Sequence, residues 1–191
     1  MSPNRRTPLL VAAALVACQL GVTAAAGAEP VSPLYRLVDT AAQRLATADP
    51  VAAAKWINGG SITDTARVQQ VLDGVTVDAN GRGVDAQYVR TVFTDQIGAT
   101  EGVEYTRFGE WKFDPSTAPT VAPDLSESRS AIDGFTAMMV EEIALQWNSL
   151  HSSSCPGDLQ AAEDAVAADR GLDPLYVRAL SSAARSYCQL I

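Results

Sequence analysis

The sequence predicts an all-α fold, a single-domain bundle of about six helices. Three observations carry that expectation. Apolar residues recur at three- and four-residue steps through most of the chain, no stretch shows the two-residue alternation of a strand, and alanine is abundant between clusters of glycine and proline. A chain of 191 residues is the size of one domain.

Leu34, Leu37, Val38, Ala41, Leu45 and Ala48 trace the stripe of a first amphipathic helix. Asp49-Pro50 reads as an N-cap with proline at the first helical position, so a second helical stretch runs through Trp56 until Asn58-Gly59-Gly60-Ser61 ends it. A helix from about Thr63 carries Val68, Val71, Leu72 and Val75, and Asn80-Gly81-Arg82-Gly83 punctuates the next turn. Tyr88, Val92, Phe93, Ile97, Val103 and Phe108 mark a long helix starting at Asp85. Pro115, Pro119 and Pro123 forbid regular helix over a linker that ends near Asp124. Ser126-Glu127-Ser128-Arg129 opens another long helix, with Ile132, Phe135, Met139, Ile143 and Trp147 as its apolar face. Ser154 or Cys155 before Pro156, and Asp173 before Pro174, start the last two helices.

Ahead of the bundle, Arg5 and Arg6, an apolar run from Leu9 to Val22 and Ala26-Gly27-Ala28 follow the order of a secretory signal. Residues 1–28 are expected to be removed, leaving residues 29–191 as the mature domain outside the cytoplasm, secreted or held in the periplasm or cell envelope. The run is too short and alanine-rich for a membrane span. Leu15-Val16-Ala17-Cys18 offers an alternative, a lipobox in which Cys18 is lipidated. Pro8 breaks the apolar pattern that twin-arginine export requires, which leaves general secretion as the expected route.

The chain carries 14 Lys+Arg against 22 Asp+Glu, a net charge of −8, and loss of the signal removes two arginines and no acid. Such a surface repels nucleic acid and anionic lipid. The mature chain keeps Cys155 and Cys188, and an even count in an exported protein reads as one disulfide, with two buried free thiols as the alternative. As a disulfide, the pair would clamp the C-terminal helices. His151 is the single histidine, which argues against a zinc site and against Ser-His-Asp chemistry.

In so acidic a chain the placement of the cations is informative. Arg44 and Lys55 lie eleven residues apart, about three helical turns and about 20° of rotation, so a mild bend at Asp49-Pro50 leaves them on nearly one face, about 16 Å apart. A cation on or beside an apolar stripe is costly unless a counter-charge rewards it, and a bound dicarboxylate would do so. The bland alternative is a pair of surface residues whose stems cover alanines. Gln96, Thr100 and Glu104 form an i, i+4, i+8 row beside an apolar stripe, either a solvated edge or a second wall of the same pocket. Asp64 and Arg67 are at i, i+3 spacing, and Arg129 lies in a first helical turn, against the macrodipole preference.

Arg44, Lys55 and Asp64-x-x-Arg67, then Thr100-x-x-x-Glu104, then Ser128-Arg129-Ser130-Ala131-Ile132-Asp133 together resemble the all-helical chorismate mutases, in particular their exported subclass. The resemblance runs from about Leu34 to Gln189 and includes Asp49-Pro50, Lys55-Trp56, Glu104-Tyr105, Arg107-Phe108 and both cysteines. It implies the cofactor-free rearrangement of chorismate to prephenate. By family position, Arg44 and Arg129 would grip the two substrate carboxylates, and Lys55 and Glu104 would contact the ether oxygen from opposite sides. Arg67, steadied by Asp64, would close the pocket, and Thr100 would add a hydrogen bond. The family's glutamine pair is shifted by one here, Gln69-Gln70 preceding Val71, a departure from the pattern that leaves Gln70 as the candidate for the family contact. The resemblance further implies a homodimer with a complete site in each chain. A secreted binding protein for aromatic carboxylic acids, without turnover, is the alternative.

Overall fold

Four aspartates set the helix starts. In the computed structural model, which describes residues 32–189 together with Met1, Asp64, Asp85, Asp124 and Asp173 each accept a backbone N–H two or three residues on, from Arg67, Tyr88, Ser126 and Tyr176. Such caps satisfy donors that a helix N-terminus otherwise leaves open. The helices are α1 (Tyr35–Ala46), α2 (Ala48–Asn58), α3 (Thr65–Gly81), α4 (Ala86–Phe113), α5 (Leu125–Leu145), the single turn α6 (Trp147–Leu150), α7 (Cys155–Arg170) and α8 (Pro174–Ala184). A short 3-10 turn, Pro115–Thr117, interrupts the proline-rich linker. The described residues are thus all-helical, with seven helices of eleven residues or more against the six expected. The proposed signal segment and the lipobox at Cys18 lie outside the described residues.

The α1–α2 junction differs from expectation. Asp49 is not the N-cap: α2 begins at Ala48, with Thr47 as its cap in a helical conformation and its hydroxyl donating to the Arg44 carbonyl at 2.7 Å. Pro50 has no N–H to give the Ala46 carbonyl, so the helical ladder breaks here. The Asp49 carboxylate instead reaches across to α4 and accepts from Arg107 Nε at 2.7 Å. Trp56 of α2 packs edge-on against Phe108 and Trp111 of α4, which holds α2 along the second half of that helix.

α4 is the central strut, packed on α2, α3 and α8, while α1 packs on α5, α7 and α8. Leu37, Val38 and Leu45 of α1, Val92 and Phe93 of α4, Met139 and Ile143 of α5 and Leu180 of α8 are at most 1% exposed and form a shared core. Each such side chain contributes about 1.5–3 kcal/mol through burial. α5 stops at Leu145, and Trp147, expected on its apolar face, belongs to α6, edge-on to Tyr88 and tilted against His151.

Cys155 and Cys188 are joined, with Cα atoms 5.7 Å apart. The bond ties the start of α7 to the segment after α8, although those helices pack mainly on α1 and α4 rather than on each other. The same segment is held by Arg185 and Ser186 on the buried Asp95 carboxylate, by Tyr88 Oη donating to the Tyr187 carbonyl at 2.6 Å, and by Gln189 N donating to the Leu150 carbonyl at 3.0 Å. Closing a loop of 33 residues is worth roughly 3 kcal/mol in the chain-entropy account. The Cys155→Ser/Cys188→Ser protein should therefore unfold in denaturant with about 3 kcal/mol less stability than the oxidised wild type, and reduced wild type should match it. A loss below about 1 kcal/mol would mean that the hydrogen bonds alone fix the chain end.

Candidate active site

Gly59, at φ 72°, ends α2 in a left-handed conformation that only glycine adopts freely, and the chain turns back over Lys55. This return brings the Ile62 carbonyl to 2.7 Å from Lys55 Nζ. Across from it, the Glu104 carboxylate of α4 accepts from the same ammonium at 2.7 Å. The Lys55 side chain is 19% exposed and that of Glu104 only 4%. Burial pushes the Glu104 carboxyl above the usual range, against the opposing pull of Lys55, and the neighbouring Glu101 pushes it further up.

Arg44 enters the same space from α1. It is 4% exposed, its Nε donates to Thr136 Oγ1 of α5 at 3.1 Å, and its guanidinium carbon stands 5.7 Å from the centre of the Phe93 ring. It forms no ion pair with an acid among the described residues. Burial, then the nearby positive charge of Arg67, lower its pKa to about 10, so it is still a cation at neutral pH. A buried, uncompensated cation costs stability, and the chemistry that rewards it is a bound anion.

Arg67 lies on α3. Asp64, expected to steady its guanidinium, instead caps the helix by accepting from the Arg67 backbone N–H at 3.0 Å. The guanidinium donates from Nη1 to Gln70 Oε1 at 3.0 Å and from Nη2 to Asp133 Oδ1 of α5 at 2.6 Å. Thr100 of α4 turns its hydroxyl onto the Gln96 carbonyl at 2.9 Å, and Gln96, fully buried, donates to the Ala41 carbonyl at 3.1 Å. The polar row of α4 therefore faces the interior.

These side chains enclose a cavity of about 110 Å³ between the first five helices. Arg44, Lys55, Asp64, Arg67, Thr100 and Glu104 supply its polar lining, Glu101 sits beside them, and Val51, Ile62, Val68, Val71, Ile97 and Ile132 form apolar walls. Six of the eight substrate-contact residues expected from the sequence thus converge. Gln70 does not line this cavity and acts on Arg67 from outside, while Val71 takes the wall position. Arg129, the fifth residue of α5, is exposed and outside the lining, one turn before Ile132, which is inside it. Thr136, Asp133 and the Ile62 carbonyl were not assigned roles from the sequence. A carbonyl carries no residue-type signal, and Thr136 is recognisable only once α5 is docked on α1. Among the described residues, no group of three His, Cys, Asp or Glu side chains is placed to hold a metal ion.

A buried carboxyl–ammonium pair, a core arginine without an acid and a third cation at the rim define a pocket for a small polyanion in an all-helical scaffold. The family description "Chorismate mutase type II" matches residues 35–105. The chain is 54% identical to the secreted chorismate mutase of Mycolicibacterium smegmatis over 94% of its own length and all of that protein, and 47% identical to the secreted chorismate mutase of Mycobacterium tuberculosis over 87% of its length and 83% of that protein. A crystal structure of chorismate mutase from Burkholderia phymatum superposes with a TM-score of 0.78 at 28% identity, over 83% of this chain and 97% of that one. The chain belongs to the chorismate mutase family of the secreted, all-helical type.

If the Arg44 charge is a cost borne for ligand binding, Arg44→Met should leave unfolding stability unchanged or raise it by up to about 2 kcal/mol while abolishing dicarboxylate binding. Denaturant unfolding and inhibitor titration check both halves. A variant destabilised by more than about 2 kcal/mol would show that Arg44 serves the fold.

Proposed function

We propose that this protein is an exported chorismate mutase that converts chorismate to prephenate by holding it in the reactive conformer and stabilising charge on the ether oxygen. The convergence of Arg44, Lys55, Arg67 and Glu104 in one cavity carries the reading. The reaction is unimolecular: the ether C–O bond breaks as a new C–C bond forms, and no proton, nucleophile or cofactor enters. The protein's task is geometric and electrostatic.

Lys55 has three N–H donors, of which the Ile62 carbonyl and Glu104 hold two, leaving one for the ether oxygen as negative charge grows there. A donor aimed at such an oxygen is worth roughly 10²–10³ in kcat. Glu104 contributes from the opposite side when protonated: one oxygen still accepts from Lys55 and the other donates to the ether. Arg44 binds one substrate carboxylate, Arg129 folds over the mouth of the pocket to bind the other, Arg67 closes on one of these two carboxylates from the α3 wall, and Thr100 adds a further hydrogen bond. All of these belong to one chain, so each protomer of the homodimer that the resemblance implies would hold a full site. Export follows from the signal-like first 28 residues together with relatives named as secreted, and cleavage after Ala28 is favoured over lipidation at Cys18.

Purified protein mixed with chorismate should consume its absorbance; binding without turnover would make it a receptor for aromatic carboxylic acids instead. The sign of the pH dependence follows from Glu104. Its carboxyl is already raised by burial, two bound carboxylates raise it further, and only the protonated form donates. Turnover is therefore highest below the bound-state pKa and falls as pH rises through it. Glu104→Gln should remove that fall, and a variant declining in parallel with the parent would rule the role out. Arg129→Ala should lower kcat/KM about 10- to 100-fold, the worth of a charge-assisted hydrogen bond, in steady-state assays. A change under about twofold would remove Arg129 from the site.

A further inference from the structure

Both groups that hold the Arg67 guanidinium, Gln70 and Asp133, line a second cavity of about 350 Å³ between α3 and α5, and neither lines the central one. Arg67 itself borders both cavities. It is thus anchored from the outer side of the wall that it helps to build. Its strongest partner, the Asp133 carboxylate at 2.6 Å, is 63% exposed, while the Arg67 side chain is 30% exposed.

The charges around the site make this anchor consequential. Arg44, Lys55 and Arg67 face four carboxyl groups: Asp64, Glu101 and Glu104 in the lining, and Asp133 on Arg67. A dianionic ligand entering that set needs carboxylate charge removed or turned away. Glu104 is buried beside Lys55 and Asp64 is fixed as the cap of α3, whereas Asp133 is held by Arg67 and is open to solvent. An exposed ion pair is weak enough for a ligand carboxylate in a drier cavity to displace it.

We propose that Asp133 is the resident counter-ion of Arg67, a carboxylate that occupies this arginine in the empty enzyme and that a ligand carboxylate displaces on binding, so that it sets substrate affinity. The inference rests on the mutase reading for its ligand but not for its test. Asp133→Asn keeps an oxygen able to accept from Arg67 Nη2 and removes only the charge. Titration calorimetry with an oxabicyclic dicarboxylate mimic of the transition state should give a Kd roughly two- to fivefold lower than wild type, the scale of an exposed ion pair. The KM for chorismate should fall by a similar factor with kcat little changed. In an Arg67→Ala background the substitution should have no effect on Kd.

Unchanged or weaker binding by Asp133→Asn would overturn the proposal, as would a fall in kcat at constant KM, which would make Asp133 a positioning residue. The same gain in the Arg67→Ala background would also overturn it, because the effect would then be a general field rather than release of this arginine. Wild-type protein that binds the mimic without turning over chorismate would sink the mutase reading, while the Kd comparison would still decide the role of Asp133.

Discussion

The structure is organised around a cation kept in its core with no acid paired to it among the described residues. Arg44 is enclosed by the same layer of side chains that stabilises the bundle, with a threonine hydroxyl and an aromatic face as its local support. Neither compensates a full charge. The surroundings must therefore be rigid enough to deny the guanidinium an escape to water. The Phe93 ring on α4 and Thr136 on α5 border it, and Gln96 pins α4 to the α1 backbone one turn away. Stability and function meet at this position: the packing that makes the charge expensive is what makes it strong toward an anion, because few competing waters surround it.

Placing a second cation against the first depends on the broken helix. Had α1 continued without interruption, the face carrying Lys55 would be fixed by helical twist alone. The proline break loosens that constraint, and the Asp49–Arg107 ion pair with the Trp56, Phe108 and Trp111 cluster then fixes α2 against α4 instead. Because Glu104 is on the same α4, one docking contact orients both members of the Lys55–Glu104 pair. The glycine turn after α2 finishes the arrangement by bringing a carbonyl onto the ammonium, which leaves its remaining donor directed by two fixed acceptors.

Much of this was legible in the sequence, for reasons that differ by element. The starts of α4 and α8 follow from Asp85 and from Asp173-Pro174, since capping is local chemistry. Helical spacing allowed Arg44 and Lys55 to converge, and the row beside the α4 stripe allowed Thr100 and Glu104 to join them, but each feature also fitted a solvated surface, an alternative removed only by the docking of α2 on α4. What local chemistry cannot specify was lost. Asp49 has the residue type and neighbour of a cap, yet tertiary attraction to Arg107 captured its carboxylate. Asp64 and Arg67 have ion-pair spacing, but the backbone N–H claimed the acid and left the guanidinium for Gln70 and a residue 66 positions away. Thr136 has no signature at all, because its role exists only where α5 crosses α1.

The charge of the whole molecule gives these local choices their meaning. A chain with a net charge of −8 presents a repulsive field to any dianion in solution, so attraction must come from within the cavity and over distances shorter than the screening length of about 8 Å at physiological salt. Within that range three cations meet the carboxyl groups of Asp64, Glu101 and Glu104 in the lining. The backbone hydrogen bond to Asp64 fixes that carboxylate without removing its charge, whereas burial drives Glu104 toward its neutral form. The local balance thus shifts toward positive through suppression of Glu104 rather than accumulation of bases, and that suppression is greatest when a ligand excludes water. A compact ligand that fills the space and brings its own negative charge is therefore the kind that the three cations would answer best.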